Sequence, residues 1–289
     1  VDSQSFKAWL SYGILSLVYG STYFAIAVGI ESFNTFGMVA TRYLLAGIVA
    51  FLLGRLMGEP WPSKRDLPHL IFVGVLLLTT SNGLVTYAER HVSSGISAVV
   101  CSLVPGFYVL LGRERLSPRS WAGLALGLCG VAILMLARPD QHRLHPGGMA
   151  CLLLAVFCWA VGTLHGRKHV QGKGLMGQVG VQMMTGGLVS LAFVPFTGGF
   201  LHAPLTWKAA SAVGFLSLFG SLIAFSAFIY LAKVWKPSRM GTYVYINPVV
   251  AVLLGCAVLK EPFNLAMGLG MIVILAGIAL LQIPVRKPH

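Results

Sequence analysis

Ten apolar runs, each about long enough to cross a bilayer, follow one another along the chain with only short connections between them. They fall at about 8 to 30, 35 to 56, 67 to 88, 93 to 112, 119 to 137, 147 to 167, 175 to 197, 207 to 232, 239 to 259 and 262 to 283, bounded by charges, Pro or Gly. A spanning helix needs ~20 apolar residues to cover the hydrocarbon core. Lipid offers no partner to a backbone N–H or C=O, so such segments must close their hydrogen bonds internally, as helices. Ten of them occupy roughly 200 positions, which leaves too little chain for a soluble catalytic domain. The composition agrees: 56% of the 289 residues are hydrophobic, 10% are charged and the mean hydropathy is +0.80. The expected fold is an all-α membrane protein of ten transmembrane helices.

A net charge of +13 would suit a nucleic-acid binder if it were gathered on one soluble face. It is distributed differently. With the N-terminus in the cytoplasm, the inner loops and tails hold Lys7, Arg55, Lys64, Arg65, Arg113, Arg115, Arg119, Arg167, Lys168, Lys173, Lys233, Lys236, Arg239, Arg286 and Lys287, 15 of the 21 basic residues. The outer loops hold only Arg90, Arg138, Arg143, Lys208 and Lys260. This asymmetry predicts that both termini are cytoplasmic and that the basic residues anchor to the anionic inner leaflet, with no nucleic-acid partner. The first run follows Lys7 and lacks a small-residue cleavage site, so it is expected to be a retained anchor. Cys101, Cys129, Cys151, Cys158 and Cys256 all lie inside apolar runs, without the spacing of a disulfide framework or zinc site, and read as small core residues.

The chain also repeats itself. Tyr87 precedes Pro105 by 18 residues, as Tyr230 precedes Pro248. The tract VPGFYVLLG from Val104 matches NPVVAVLLG from Asn247, and Glu114 is followed by Gly123 and Gly130 at the offsets that separate Glu261 from Gly270 and Gly277. The distance from Pro105 to Glu114 is 9 residues and from Pro248 to Glu261 is 13, so the first copy is about one helical turn shorter there. Two halves follow, residues 1–140 and 141–289. Five is an odd number of crossings, so the second half is expected to be inserted upside down. Inverted repeats of this kind build secondary transporters that bind substrate near the midplane, between the repeats.

The segments VYGSTYFAIAVGIESF (Val18 to Phe33) and TRYLLAG (Thr41 to Gly47) resemble the first two helices of EamA-type members of the drug/metabolite transporter superfamily. The resemblance continues through SNGLVTYAERHVSSGISAVVCSLVP (Ser81 to Pro105) and from FGSLIAFSAFIYL (Phe219 to Leu231) to YVYINPVVAVLLG (Tyr243 to Gly255). It implies a cavity lined mainly by helices 1, 3, 4, 6, 8 and 9, with helices 5 and 10 behind, and the export of amino acids or related metabolites from a bacterium across its inner membrane. One departure is Tyr19, where many relatives carry Trp before the Gly-Ser pair, and it bears on which substrate is carried.

All eight acidic residues fall in loops or at helix ends. The intramembrane carboxylate that would neutralise a cationic drug is therefore missing, and Arg42 is the one basic group clearly within a span, too few for a phosphorylated substrate. A neutral or zwitterionic substrate remains. Polar and aromatic residues recur at helical spacing: Tyr12, Ser16, Tyr19 and Tyr23; Thr79, Asn82 and Thr86; Trp159 and Thr163; Ser217, Ser221 and Phe225; Met240, Tyr243 and Asn247. Ordinary interhelical bonding is the competing account of any one of them. The candidate substrate residues are Tyr19, Tyr23, Asn82, Thr86, Tyr87, Trp159, Thr163, Phe225, Tyr243 and Asn247, which suit an apolar or aromatic amino acid.

Arg42 is expected to pair with Glu31, Glu89 or backbone carbonyls as a structural charge. His165 is the histidine placed to couple protons. No His, Asp and Cys group together on a helix face in this reading, so no catalytic residue, metal or cofactor is expected. The pairs Gly123, Gly127 and Gly162, Gly166 permit close helix contact, in a monomer or a homodimer. A broad-specificity drug exporter and a non-transporting membrane receptor or scaffold are the alternatives that the sequence leaves open.

Pro105 and Pro248 remove helix hydrogen bonds at equivalent places and are candidate hinges. Replacing Pro248 with Ala is expected to slow transport more than it lowers the yield of folded protein. Equal losses in both would end the hinge idea.

Overall fold

The computed structural model describes residues 3–137, 145–258 and 263–282. Asp2, Arg138, Asp140, Arg143, Lys260, Glu261, Arg286 and Lys287, and with them the 140/141 boundary between the halves, lie outside the described residues. Helices α1 (Ser3–Gly29), α2 (Thr35–Leu56) and α3 (Leu67–Ala88) come first. A broken helix α4 follows, as Ser94–Cys101 and Val104–Gly112. Then come α5 (Pro118–Leu136), α6 (Pro146–His169), α7 (Leu175–Thr197) and α8 (Trp207–Val234). A second broken helix, α9, runs as Pro237–Gly241 and Tyr243–Val258, and α10 is Leu265–Gln282. Among the described residues the only extended pairing is an isolated bridge between Phe33 and Leu201.

Eight of these helices are long and apolar enough to cross a membrane, and among the described residues every regular element is a helix. Two of the ten expected spans, α4 and α9, are interrupted. Proline is the physical reason in α4: Pro105 lacks an N–H and its ring crowds the carbonyl four residues back, at Cys101, where the first piece ends. Pro105 then sits in the first turn of the second piece, where its missing donor costs nothing. In α9 the break falls earlier, at Thr242, and the helix continues through Pro248. The two breaks lie against each other, since a Cβ on Gly241 would stand 2.9 Å from the Tyr108 ring and 3.3 Å from Pro105. Helices α3 and α8 each carry a widened π-helical stretch, at Val75–Ser81 and Leu216–Ala224.

Between apolar helices in lipid no hydrophobic force discriminates, so packing depends on how closely backbones approach. Glycine sets that approach here. A Cβ on Gly123 would meet the Gly277 carbonyl oxygen at 2.9 Å, and one on Gly130 would meet the Gly270 oxygen at the same distance. As residue number rises along α5 it falls along α10, so the two helices are antiparallel. Helices α2 and α7 behave alike: Gly37 lies against Phe200, Gly47 against Met184 and Gly54 against Gly177. Gly123 and Gly127 thus pack within the chain, as do Gly162 against Leu77 and Gly166 against Val73 of α3.

Replacing Gly277 with Ala would put a methyl group 2.6 Å from the Gly127 nitrogen, and overpacking of this kind costs about 1–3 kcal/mol. A lower thermal midpoint of the purified protein in detergent is expected. A methyl group on Gly13, in α1, would meet nothing within 4 Å; Gly13→Ala is expected to be neutral or to stabilise by up to about 1 kcal/mol through helix propensity.

Candidate substrate cavity

A recess lies among α1, α2, α3, α4, α6 and α9, with about 590 Å³ of empty space that includes its opening to the outside. Tyr19 and Tyr23 reach it from α1, Asn82 from α3, Trp159 from α6, and Tyr243 and Asn247 from α9. Helices α5 and α10 contribute none of its lining. Its aromatic wall is continuous: the Tyr19 ring centroid lies 5.6 Å from Tyr243 and 6.3 Å from Trp159, both edge-on. Phe228 supports that wall from behind, 4.9 Å from Trp159 and 6.2 Å from Tyr243.

The other four candidates stand apart from this lining. Thr163 donates to the Trp159 carbonyl at 2.7 Å and accepts from the Tyr108 hydroxyl, so it braces the wall. Phe225 is buried against Phe228. Thr86 is fully buried, with no partner for its hydroxyl oxygen. Tyr87 is 46% exposed and packs against His91. Several stripe residues also bind helix to helix: Tyr12 bonds Thr242 at 2.8 Å, and Thr79 donates to the Gly186 carbonyl at 2.8 Å.

Asn82 follows the π-helical stretch of α3 and donates to the Leu77 carbonyl at 2.9 Å. The backbone N–H of Asn82 closes the wide turn on the same Leu77 carbonyl, so that oxygen accepts from both the main chain and the side-chain amide. Ser81 donates to the Ala155 carbonyl at 2.8 Å and fixes α3 to α6 beside the cavity.

Arg42 departs from its expected role. It is 3% exposed, lines the cavity, and donates through Nε to Ser221 Oγ at 2.9 Å, in the π-helical stretch of α8. Its Nη1 has no hydrogen-bond partner among the described residues, and neither Glu31 nor Glu89 pairs with it. Glu89 is buried just beyond the end of α3, and both its carboxylate oxygens are likewise unpartnered. Burial pushes its carboxyl well above the usual range. Two further cavity residues carry unpartnered buried polar atoms, Trp159 through Nε1 and Asn247 through Oδ1. Composition could not have located these three atoms together, because they come from α2, α6 and α9.

His165 is not alone. Its Nε2 lies 3.0 Å from Nδ1 of His69, and His169 stands one turn further along α6. The three histidines meet across α3 and α6. The i, i+4 spacing of His165 and His169 was the available signal.

The sequence profile of the EamA-like transporter family matches residues 7–136 and again residues 146–283. The chain is 38% identical over 247 residues to an uncharacterized inner membrane transporter, YedA, of Escherichia coli strain K12, covering 83% of this chain and 79% of that protein. It is 23% identical over 288 residues to an uncharacterized transporter of Archaeoglobus fulgidus, covering 97% and 99%. A probable terminal-alkyne amino-acid exporter of Streptantibioticus cattleyicolor is 26% identical over 267 residues, with 88% and 86% covered. A solved crystal structure shares the fold at a TM-score of 0.75 and 21% identity, covering 95% of this chain and 96% of that one. The three relatives with named roles are named as transporters, and a multi-pass protein of the bacterial inner membrane accounts for the apolar helices. The chain belongs to the EamA-like transporter family.

Proposed function

We propose that this transporter exports small zwitterionic metabolites, amino acids with apolar or aromatic side chains, by alternating access of a ten-helix bundle built from two oppositely inserted halves. The observation that carries this reading is the set of unpartnered atoms on the cavity wall: Arg42 Nη1 and Trp159 Nε1 as donors, and Asn247 Oδ1 as acceptor. A buried polar group left unbonded costs about 1–3 kcal/mol. Two donors, one of them cationic, complement a carboxylate, and an amide oxygen accepts from an ammonium group. The rings of Tyr19, Trp159 and Tyr243 offer stacking area to an apolar side chain.

Electrostatics separates this reading from cationic drug export. Arg42 brings a positive charge to the cavity without an acidic partner. A substrate that is only a cation gains nothing there. The amino-acid exporter among the relatives supports the same substrate class. Antiparallel pairing of α2 with α7 and of α5 with α10 supports the inverted halves, and the facing breaks of α4 and α9 support movement of one half on the other.

Counterflow of radiolabelled phenylalanine or leucine into liposomes containing the purified chain is expected to be saturable. Trp159→Ala and Asn247→Ala should each lower it on the order of 10-fold or more, from the loss of a bond to a charged group worth about 1.5–3 kcal/mol. Phenylalanine should compete for uptake and phenethylamine, which lacks the carboxylate, should not. Competition by the amine alone would favour a cation exporter, binding without flux would favour a receptor, and unchanged flux in both variants would remove those residues from the site.

Glu89 generates a pH prediction. A carboxyl raised above its unfolded value contributes stability that is fully present below the unfolded pKa of about 4.3 and is lost as pH rises through the folded value. The thermal midpoint of the native protein should therefore fall on alkalinisation from mildly acidic pH, and Glu89→Gln, which cannot ionise, should flatten that decline. Parallel profiles would mean that Glu89 is already ionised in the fold.

A further inference from the structure

The histidine cluster lies outside the cavity, at the end of the bundle where Arg65, Arg167 and Lys168 gather. His165 and His169 occupy one face of the last turns of α6, and His69 lies in the first turn of α3. One ring nitrogen from each falls within 4.8 Å of the others. The rings pack at 4.3 to 5.1 Å between centroids, and all three side chains are half-buried, open enough for an ion to enter.

We propose that His69, His165 and His169 form a binding site for one divalent transition-metal ion of the zinc class, which clasps α3 to α6. Three neutral imidazoles with a fourth position left to water make a donor set suited to such an ion. The nitrogens of His69 and His165 already stand 3.0 Å apart, and tetrahedral coordination at about 2.0–2.1 Å would hold them about 3.4 Å apart. A shift of a few tenths of an ångström therefore completes the pair. His169 is already oriented as a ligand. Its Nδ1 lies 3.0 Å from the His165 carbonyl oxygen, which can only accept, so the proton sits on Nδ1 and the lone pair on Nε2. A carbonyl bonded to the other ring nitrogen fixes the tautomer of metal-binding histidines in this way. Asp66 lines the same recess as His69 and His169 and brings a negative charge that offsets Lys168 and Arg65.

The position of the site gives it a consequence. His69 belongs to the first repeat and His165 and His169 to the second, so the ion bridges the two matches of the family profile. If the halves rock against each other, which rests on the proposed transport reading, a bound ion holds this end of the bundle together and slows turnover. The metal site itself does not depend on that reading.

Zinc titration of the purified chain, free of any histidine tag, tests the site by calorimetry. One ion per chain is expected. His69→Ala and His169→Ala should each weaken binding by at least the ~10–100-fold that loss of a hydrogen-bond partner behind a ligand costs. The thermal midpoint of the native chain should rise with zinc, and those of the two variants, measured first without metal to establish that they fold, should not. No saturable binding, or binding unchanged in either folded variant, would overturn the site. Zinc should also slow amino-acid counterflow by the native chain, reversibly on chelation, and leave His169→Ala unaffected. Binding without slowing would overturn the clasp alone, whereas absence of flux even without zinc would count against the transport reading and leave the binding result standing.

Discussion

Backbone-to-backbone contact at glycine holds this bundle together. In a bilayer, apolar side chains gain nothing by leaving lipid for one another, so helices associate where their surfaces let dispersion contacts form closely. Gly123, Gly130, Gly270 and Gly277 remove the side chains between α5 and α10, and Gly47, Gly54 and Gly187 do so between α2 and α7. The irregular helices α3, α4 and α9 border the cavity together with α1, α2 and α6. Polar side chains add bonds to backbone carbonyls at those places, as Asn82 does to the Leu77 carbonyl.

Function follows from where that scheme is left incomplete. Most polar side chains inside the bundle bond to a helix backbone or to one another, and Thr79, Ser81 and Thr163 are examples. Arg42, Trp159 and Asn247 retain unbonded polar atoms, and all three border the cavity beside the Tyr19 and Tyr243 rings. Arg42 is held through Nε by Ser221 and lies over the Tyr43 ring, with its Nη1 left without a partner. A wall with donors, an acceptor and aromatic area suits a small amphiphile that carries both charges.

Much of this fold was legible in the sequence because bilayer thickness imposes a length on each apolar run, and because the repeat carries its glycines at fixed offsets. Gly123 and Gly130, with Gly270 and Gly277, were visible as matching positions before they were seen to meet. Tyr19, Tyr23, Asn82, Trp159, Tyr243 and Asn247 line the cavity as helical spacing suggested, whereas Thr86, Tyr87, Thr163 and Phe225 lie beside or away from it. Periodicity locates a face but not the rotation of that face toward a neighbour, and π-turns shift the register by a fraction of a turn. The role of Arg42 was harder still to read. Its partner is a serine on another helix, and long-range hydrogen bonds leave no local pattern.

Two oppositely inserted halves around one cavity require matching positions to face opposite sides of the membrane. Ser117, before α5, and Asn264, before α10, are such a pair, at equal distances from Glu114 and Glu261. Each can be replaced with cysteine in a chain whose five native cysteines are changed to alanine, and intact cells then exposed to a membrane-impermeant maleimide. Asn264→Cys should be labelled from outside, and Ser117→Cys only after the membrane is opened. Labelling of both from the same side would refute inverted insertion.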